Sequence, residues 1–185
     1  ILVFFLMQDR QGKNIVIKAG GYETNEISTP KLVSIFNNYE TTSDAIGMCF
    51  QIEDHAFYIL TFPTANATWL YDLTTGWWGE LAKWDSNANI YNRYRANCCM
   101  LAFGRNLIGD YSTGNIYSLN PDVFTDGGDV ISWERWFPHL IGSEYERVIH
   151  KALSLNMEVG ATYQVNENDP PPVVNLSWSD DKGKT

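Results

Sequence analysis

The stretch HAFYILTFPTANATWLYDLTTGWWGEL, residues 55–81, contains three short apolar runs separated by turn residues. β-Branched and aromatic residues favour strands, whereas Asn, Thr and Gly mark the turns between strands. Gly76 ends a Thr-Thr-Gly turn, where we expect the positive φ that glycine adopts without steric cost. The stretch therefore predicts an antiparallel meander of three strands.

The same pattern recurs on both sides of this stretch. CMLAFGRNLIGDYSTGNIYSLN, residues 99–120, again predicts three strands, with Gly114 in the second turn. The first residues, ILVFFLMQDRQGKNIVIKAGG, predict two strands joined by a turn at Gly12. Gly76 and Gly114 are 38 residues apart, close to the ~40 to 50 residues of one propeller blade.

The run FYILTF, residues 57–62, is apolar on both faces of the predicted strand. Such a strand needs cover on both sides, as when small sheets stack face to face around an axis. We therefore predict an all-β, β-propeller-like fold of antiparallel meander blades, with residues 1–185 in a single domain. A closed propeller has about four to eight blades, and this length supplies three to four, so we expect a fragment truncated at both ends.

One segment has a helical pattern instead. In STPKLVSIFNNY, residues 28–39, Thr29 is a suitable N-cap and Pro30 a suitable first helical residue. Apolar residues then recur on one face, which predicts a short helix near residues 29–39. Beyond Gly128, VISWERWF (130–137) and ERVIHKALSLNMEVG (146–160) predict further strands, and VVNLSW (173–178) predicts the last one.

The last seven residues, SDDKGKT, fit the Asp-box pattern Ser-x-Asp-x-Gly-x-Thr at Ser179, Asp181, Gly183 and Thr185. In this pattern the Ser and Asp side chains accept hydrogen bonds from backbone N–H groups of a turn. A calcium loop of the EF-hand type would need a longer acidic pattern ending in glutamate. We therefore expect a structural turn and not a metal or catalytic site.

Composition narrows the classes of function. The formal net charge of −9 disfavours direct binding to a nucleic-acid backbone. No apolar run approaches the roughly 20 residues of a membrane-spanning helix. The three cysteines, Cys49, Cys98 and Cys99, lack zinc-site spacing and are interpreted as reduced, buried thiols.

Motifs for catalysis are missing from the sequence. There is no G-x-S-x-G, Walker or G-x-G-x-x-G pattern, and the three histidines are far apart. We predict no enzymatic activity, no cofactor and no metal site. Trp77 and Trp84 are candidate aromatic contacts for a ligand or partner, although gap-filling between blades is the favoured interpretation of the strand tryptophans.

The motifs together resemble a known family, the packaged-DNA-stabilisation or tail-hub (tail accessory, nozzle) proteins of short-tailed bacteriophages. The resemblance covers nearly the whole chain and is carried by YDLTTGWW, GDYSTGNIY, and LNMEVG followed by SDDKGKT. It implies a virion structural protein without enzymatic activity, which forms a homo-oligomeric ring, a hexamer, below the portal and adaptor.

By the same resemblance, the ring retains packaged DNA, connects tail needle or fibre proteins, and lets DNA pass without sequence-specific binding or membrane insertion. Its location is then the phage tail, with the host bacterial cytoplasm as the place of assembly. Two alternatives remain open. One is a propeller module that binds carbohydrate or protein, and the other is a sialidase-like glycoside hydrolase.

Overall fold

The computed structural model describes residues 2–85, 88–123, 125–131, 133–137, 149, 151–156 and 173–179. These residues form three sheets of three or four strands, two hairpins and one helix. The strands are β1 Leu2–Gln8, β2 Asn14–Gly20, β3 Glu23–Glu26, β4 Ile46–Ile52, β5 His55–Phe62, β6 Ala67–Asp72, β7 Trp77–Glu80, β8 Ala82–Asp85, β9 Ile90–Arg93, β10 Ala96–Ala102, β11 Arg105–Asp110, β12 Ile116–Leu119, β13 Thr125–Asp126 and β14 Asp129–Val130. The helix is α1 Pro30–Asn37.

Each sheet is an antiparallel meander in which every strand pairs with its neighbour in sequence. The first blade has the order β1-β2-β3, the second β4-β5-β6-β7 and the third β10-β11-β12. The remaining strands form the hairpins β8-β9 and β13-β14. The two meanders predicted at residues 55–81 and 99–120 are therefore present, and the first of them gains β4 as an additional strand.

The helix α1 forms where the sequence predicts it. Thr29 has extended backbone angles and its hydroxyl accepts a hydrogen bond from the Leu32 N–H, while Pro30 occupies the first turn. Leu32 and Phe36 lie on one face and are buried. The amphipathic pattern therefore decides which side of the helix faces the core, because it places these two apolar side chains on the same face.

Two cores lie on opposite sides of the second blade. The first core joins the second blade to the first blade and to α1, and its buried members are Val16, Leu32, Phe36, Tyr58, Leu60, Phe62 and Tyr71. The second core joins the second blade to the third, and its buried members are Met48, Ile59, Ala96 and Ile108. The three blades therefore stack in chain order.

Strand β5 shows why the apolar run FYILTF decides this arrangement. Side chains alternate between the two faces of a strand. Tyr58, Leu60 and Phe62 therefore enter the first core, and Ile59 enters the second. The sequence-based expectation that both faces of this strand are covered is confirmed.

Strands do not continue in the described residues beyond β14. Residues 131, 133–137, 149, 151–156 and 173–179 have no helix or strand assigned, so the strands predicted there are wrong for these positions. A strand needs a neighbouring strand, and no sheet among the described residues includes these positions. The other residues of these predicted strands lie outside the described part of the chain.

Candidate assembly surfaces

An aspartate precedes the turn glycine in the second blade. The Gly76 N–H donates to the Asp72 carbonyl oxygen (2.8 Å), and Gly76 has a φ of 74°. The Asp72 carboxylate accepts the Thr74 N–H at Oδ1 and the Thr75 hydroxyl at Oδ2, both at 2.8 Å. The side chain of Asp72 therefore holds the backbone of the turn that joins β6 to β7.

The third blade repeats this turn at Asp110. Asp110 Oδ1 accepts both the N–H and the hydroxyl of Ser112 at 2.7 Å, and Oδ2 accepts the Thr113 hydroxyl at 3.0 Å. Gly114 again has a positive φ, of 71°. The shared pattern is Asp-x-Ser/Thr-Thr-Gly, at 72–76 and 110–114. The two glycines are predicted from the sequence as turn residues, whereas the two aspartates are not, although the same 38-residue spacing separates them.

The first turn has a related form. The Gln11 and Lys13 N–H groups donate to the carboxylate of Asp9, at 2.7 and 2.8 Å, and Gly12 has a φ of 80°. Each of the three predicted turn glycines thus follows an aspartate that binds its turn. The Asp-box predicted at the end of the chain is different, because Asp181, Gly183 and Thr185 lie outside the described residues. Ser179 is described and half-buried.

Each of the two blade aspartates also contacts a cationic or ionisable side chain. His55 Nδ1 lies 2.8 Å from Asp72 Oδ2, and Arg95 Nη1 lies 3.3 Å from Asp110 Oδ2. Burial tends to raise the pKa of both carboxyl groups, but hydrogen bonds in the turns outweigh burial and lower each pKa to about 2. Both oxygens of each group accept bonds within the fold, so neither aspartate is arranged as a general acid or nucleophile.

Arg95 fastens the hairpin β13-β14 to the third blade. Its guanidinium is almost fully buried, and Nη2 donates to the Asp126 carbonyl oxygen at 2.9 Å. Nε lies 2.7 Å from Asp126 Oδ1 and forms an ion pair with it. The guanidinium also lies 4.8 Å from the centre of the Tyr117 ring. One buried cation therefore joins strands that are far apart in sequence.

The two ends of the blade stack expose apolar sheet faces. In the first blade, Leu6 and Val16 face the core, so side chains on the opposite face of the sheet point away from the stack. This outer surface, the first-blade face, consists of Val3, Phe5, Met7, Ile15 and Ile17. In the third blade, Ile108 faces the core. The third-blade face consists of Cys98, Met100, Leu107 and Ile116, and Met100 and Ile116 are 61% and 73% exposed. Contiguous apolar surface of this kind is typical of a contact site.

Trp77 and Trp84 lie on different elements. Trp77, on β7, is 71% exposed and lines a cleft of about 360 Å³ with Trp69, Trp78 and α1. Trp84, on β8, is half-buried with its ring centre 4.7 Å from that of Tyr91. Trp77 therefore fills no gap between the described blades, and its role as an aromatic contact stays a prediction.

The cysteines differ from the expectation of buried thiols. All three are free, but Cys49 and Cys98 are exposed and Cys99 is half-buried. Cys98 lies on the third-blade face, which no described element covers. Partial desolvation of the sulfur atoms raises the pKa of the Cys49 and Cys99 thiols, which favours the unreactive protonated form. No group of three or more His, Cys, Asp or Glu side chains within the described residues is placed to hold a metal ion.

Comparison with known proteins identifies the family. The model of the phage stabilisation family, described as bacteriophage P22 Gp10, beta-propeller, matches residues 2–124. The chain belongs to this family. The matched residues include all three blades, so the predicted all-β, propeller-like fold and the predicted resemblance are confirmed. A search of curated proteins finds no match.

As a member of the phage stabilisation family, the chain is a phage structural protein. Its assembly with other virion proteins follows from that class. Among the described residues, no helix has the length and hydropathy to span a membrane.

Proposed function

We propose that this protein is a tail-hub component that lies below the portal and adaptor, retains packaged DNA, and connects tail needle or fibre proteins. It acts through subunit contacts in a homo-oligomeric ring, a hexamer, and catalyses no reaction. It assembles in the host bacterial cytoplasm and remains in the virion. Residues 1–185 belong to one propeller-like domain. The observation that carries the proposal is the family match across all three blades.

The blade stack suits a structural role. Its turns are held by buried or half-buried aspartates, and its strands pair only with sequence neighbours. The carboxylates of Asp72 and Asp110 accept hydrogen bonds within their turns and contact His55 and Arg95. The chain therefore offers stable surfaces for subunit contacts. Within the described residues, no arrangement of side chains favours the sialidase-like alternative.

The charge supports a role as a conduit for DNA. A formal net charge of −9 repels phosphate groups, so DNA is expected to pass without adhering to the ring. Replacement of exposed acidic residues such as Glu23 and Glu53 by lysine is a direct test in assembled particles. DNA release is expected to slow where such residues line the channel. Unchanged ejection kinetics after lysine substitution at every exposed acidic position would contradict the proposed role as a conduit.

The main experiment tests DNA retention. Phage in which the coding sequence of this protein carries an early stop codon are expected to package DNA and then lose it, giving empty heads by electron microscopy. Supply of the intact protein from a plasmid is expected to restore filled heads. Filled, stable heads without the protein overturn the proposal, and electron microscopy of the purified full-length product tests the ring.

A second candidate function is a propeller module that binds carbohydrate or protein. The observation in its favour is Trp77, which stands exposed beside the cleft that Trp69 and Trp78 line. Exposed tryptophan is enriched where proteins bind sugars or partners through stacking. This candidate is supported if the protein binds to a glycan array and the Trp77→Ala variant loses that binding while the Trp84→Ala variant keeps it. If the intact protein binds no glycan, carbohydrate binding is refuted.

A further inference from the structure

Turns from the second and third blades lie together at one end of the blade stack. The turns after β4 and β6 are side by side, because the Thr74 hydroxyl donates to the Asp54 carbonyl oxygen at 3.3 Å. The turn after β10 joins them, since the Asn106 side-chain amide donates to the Gln51 carbonyl oxygen.

The turn between β2 and β3 of the first blade lies at the same end. At the start of β2, the Asn14 N–H donates to the side-chain oxygen of Asn37 at 2.8 Å, and the Thr42 hydroxyl donates to the Asn14 side chain. Thr42 belongs to the connection that leads to the start of β4, so the two strands start at the same level. Both have seven residues, and β2 packs along the second blade through Val16. The turns after β2, β4, β6 and β10 therefore define one end of the stack, the aromatic end.

Each blade places one exposed aromatic side chain at the aromatic end. Tyr22 is fully exposed in the turn after β2, and Trp77, directly after the turn that follows β6, is 71% exposed. Phe103, in the turn after β10, is 96% exposed. Exposed aromatic side chains are enriched where proteins bind partners, so this end has the side chains of a contact surface.

The backbone of Phe103 shows that its ring does not serve the turn. Phe103 has a φ of 54° and Gly104 a φ of 70°, the left-handed pair of a two-residue hairpin turn in which Asn-Gly is preferred. Asn66 and Asn89 supply similar φ values, of 50° and 55°, in other turns. Phenylalanine at such a position costs stability, and its exposed ring gains little packing in return. This combination favours a contact outside the blades.

The charges beside the rings favour one class of partner. The exposed acidic residues in these turns are Glu23, Glu53 and Asp54, and Arg105 is an exposed cation next to Gly104. Carboxylates beside aromatic rings suit Arg and Lys side chains, which pair with the carboxylate and stack on the ring. The aromatic end of a second copy would bring like charges together, and the phosphates of nucleic acid would be repelled in the same way.

We propose that the aromatic end docks on a basic surface of a different virion protein, an assignment that rests on the proposed role in the tail. Phe103 is the anchor of this contact, and Tyr22 and Trp77 are further contact residues. Arg and Lys side chains of the partner stack on the rings and pair with the neighbouring carboxylates.

Substitution of Phe103 separates this contact from the stability of the fold. Purified full-length protein is added at limiting concentration to an extract of cells infected with the stop-codon phage, and complete particles are counted by electron microscopy. Phe103→Asn is expected to lower their number about tenfold or more, as for the loss of an aromatic anchor. Its unfolding in urea is expected to be unchanged or to need more urea, because Asn-Gly suits the turn. Phe103→Tyr keeps the ring and is expected to assemble like the unchanged protein.

Photocrosslinking identifies the partner. Particles assembled with p-benzoylphenylalanine in place of Phe103 are irradiated, and the crosslinked peptides are identified by mass spectrometry. The expected adduct is to a different virion protein, at a segment with an excess of Lys and Arg. The control places the same amino acid at Tyr111, which is 42% exposed at the opposite end of β11, and is expected not to capture that segment.

The outcomes distinguish this docking from the proposed function. Normal assembly by Phe103→Asn overturns the docking and leaves DNA retention standing. Adducts to a second copy, to an acidic segment or to no protein also overturn it. So do complete Phe103→Asn particles that fail only to attach to host cells, since the ring then binds the host. If the unchanged protein restores no particles, the proposed function is refuted and the docking with it.

Discussion

At the scale of single residues, the aspartates of the turns contribute most to the blades. Asp72 and Asp110 each accept hydrogen bonds from the residues two and three positions later, and each contacts an ionisable side chain from the start of a neighbouring segment. A carboxylate satisfies several backbone and hydroxyl donors at once, which a neutral side chain does not. These two residues therefore join the local turn to the next part of the sheet.

Replacement of Asp110 by asparagine is expected to destabilise the fold by about 3 kcal/mol, because it leaves the buried Arg95 cation with Asp126 as its remaining carboxylate. The measurement is the free energy of unfolding in urea. Asp122→Asn changes an exposed aspartate and serves as the control. Equal unfolding free energies for the two variants would contradict this role of Asp110.

Acid is expected to weaken the fold through the same groups. The pKa of Asp72 and of Asp110 is about 2 in the folded protein, below the ordinary value of about 3.9 in an unfolded chain. The lowered pKa stabilises the fold fully above the unfolded value, and this stabilisation is lost as pH falls from about 4 towards about 2. The urea concentration at the midpoint of unfolding is expected to decrease as pH falls through this range. The decrease is expected to be less steep for the Asp110→Asn variant. Parallel curves for the two proteins would refute the assignment.

At the scale of elements, close packing between neighbouring strands limits what each position accepts. Gly109 in β11 pairs with Cys98 in β10, and the Cys98 Sγ occupies the space above it. Gly79 in β7 has no atom within 4 Å of an added Cβ. Alanine at Gly109 therefore tests packing against Cys98 together with the backbone effect of losing a glycine, whereas alanine at Gly79 tests the backbone effect alone.

Gly109→Ala is expected to destabilise the protein by about 1 kcal/mol through overpacking against Cys98. Adding Cys98→Ala is expected to remove that cost, because the sulfur is gone. Gly79→Ala is expected to be neutral or slightly stabilising. Thermal unfolding of the unchanged protein, the Gly109→Ala and Cys98→Ala variants and the double variant gives the double-mutant cycle, and a Gly109→Ala cost that persists without the sulfur would disprove the packing argument.

The elements also show what the sequence predicts and what it does not. The helix, the strand pairs around Gly76 and Gly114, and the two-sided strand β5 follow from local pattern, because period and turn chemistry are local. Arg95 is different: its partners lie 15 and 31 residues away, so no local spacing reveals the pairing. The exposure of Trp77 and Cys98 depends on which strands end a sheet or a stack, and composition does not give that information.

At the scale of the whole molecule, the second blade is shared by two cores. Adjacent residues of β5 serve different interfaces, since Ile59 packs towards the third blade and Leu60 towards the first. Both side chains are almost fully buried. Truncation of each side chain therefore tests one of the two interfaces between blades.

Ile59→Ala and Leu60→Ala are each expected to cost about 3 kcal/mol of stability, the usual scale for a buried aliphatic truncation. The patterns of amide hydrogen exchange are expected to differ. Ile59→Ala should increase exchange mainly in β10 to β12, and Leu60→Ala mainly in β1, β2 and α1, because each cavity opens one interface. Identical exchange maps would show that the three blades behave as one core.

The pairing of strands only with sequence neighbours has a consequence for biosynthesis. No described sheet has to wait for a distant segment of the chain before it closes. Structures dominated by local contacts fold quickly, and domains fold from the N-terminus as the ribosome releases them. Each blade is thus complete soon after its last strand has been translated, and the next blade is made against a surface that already exists.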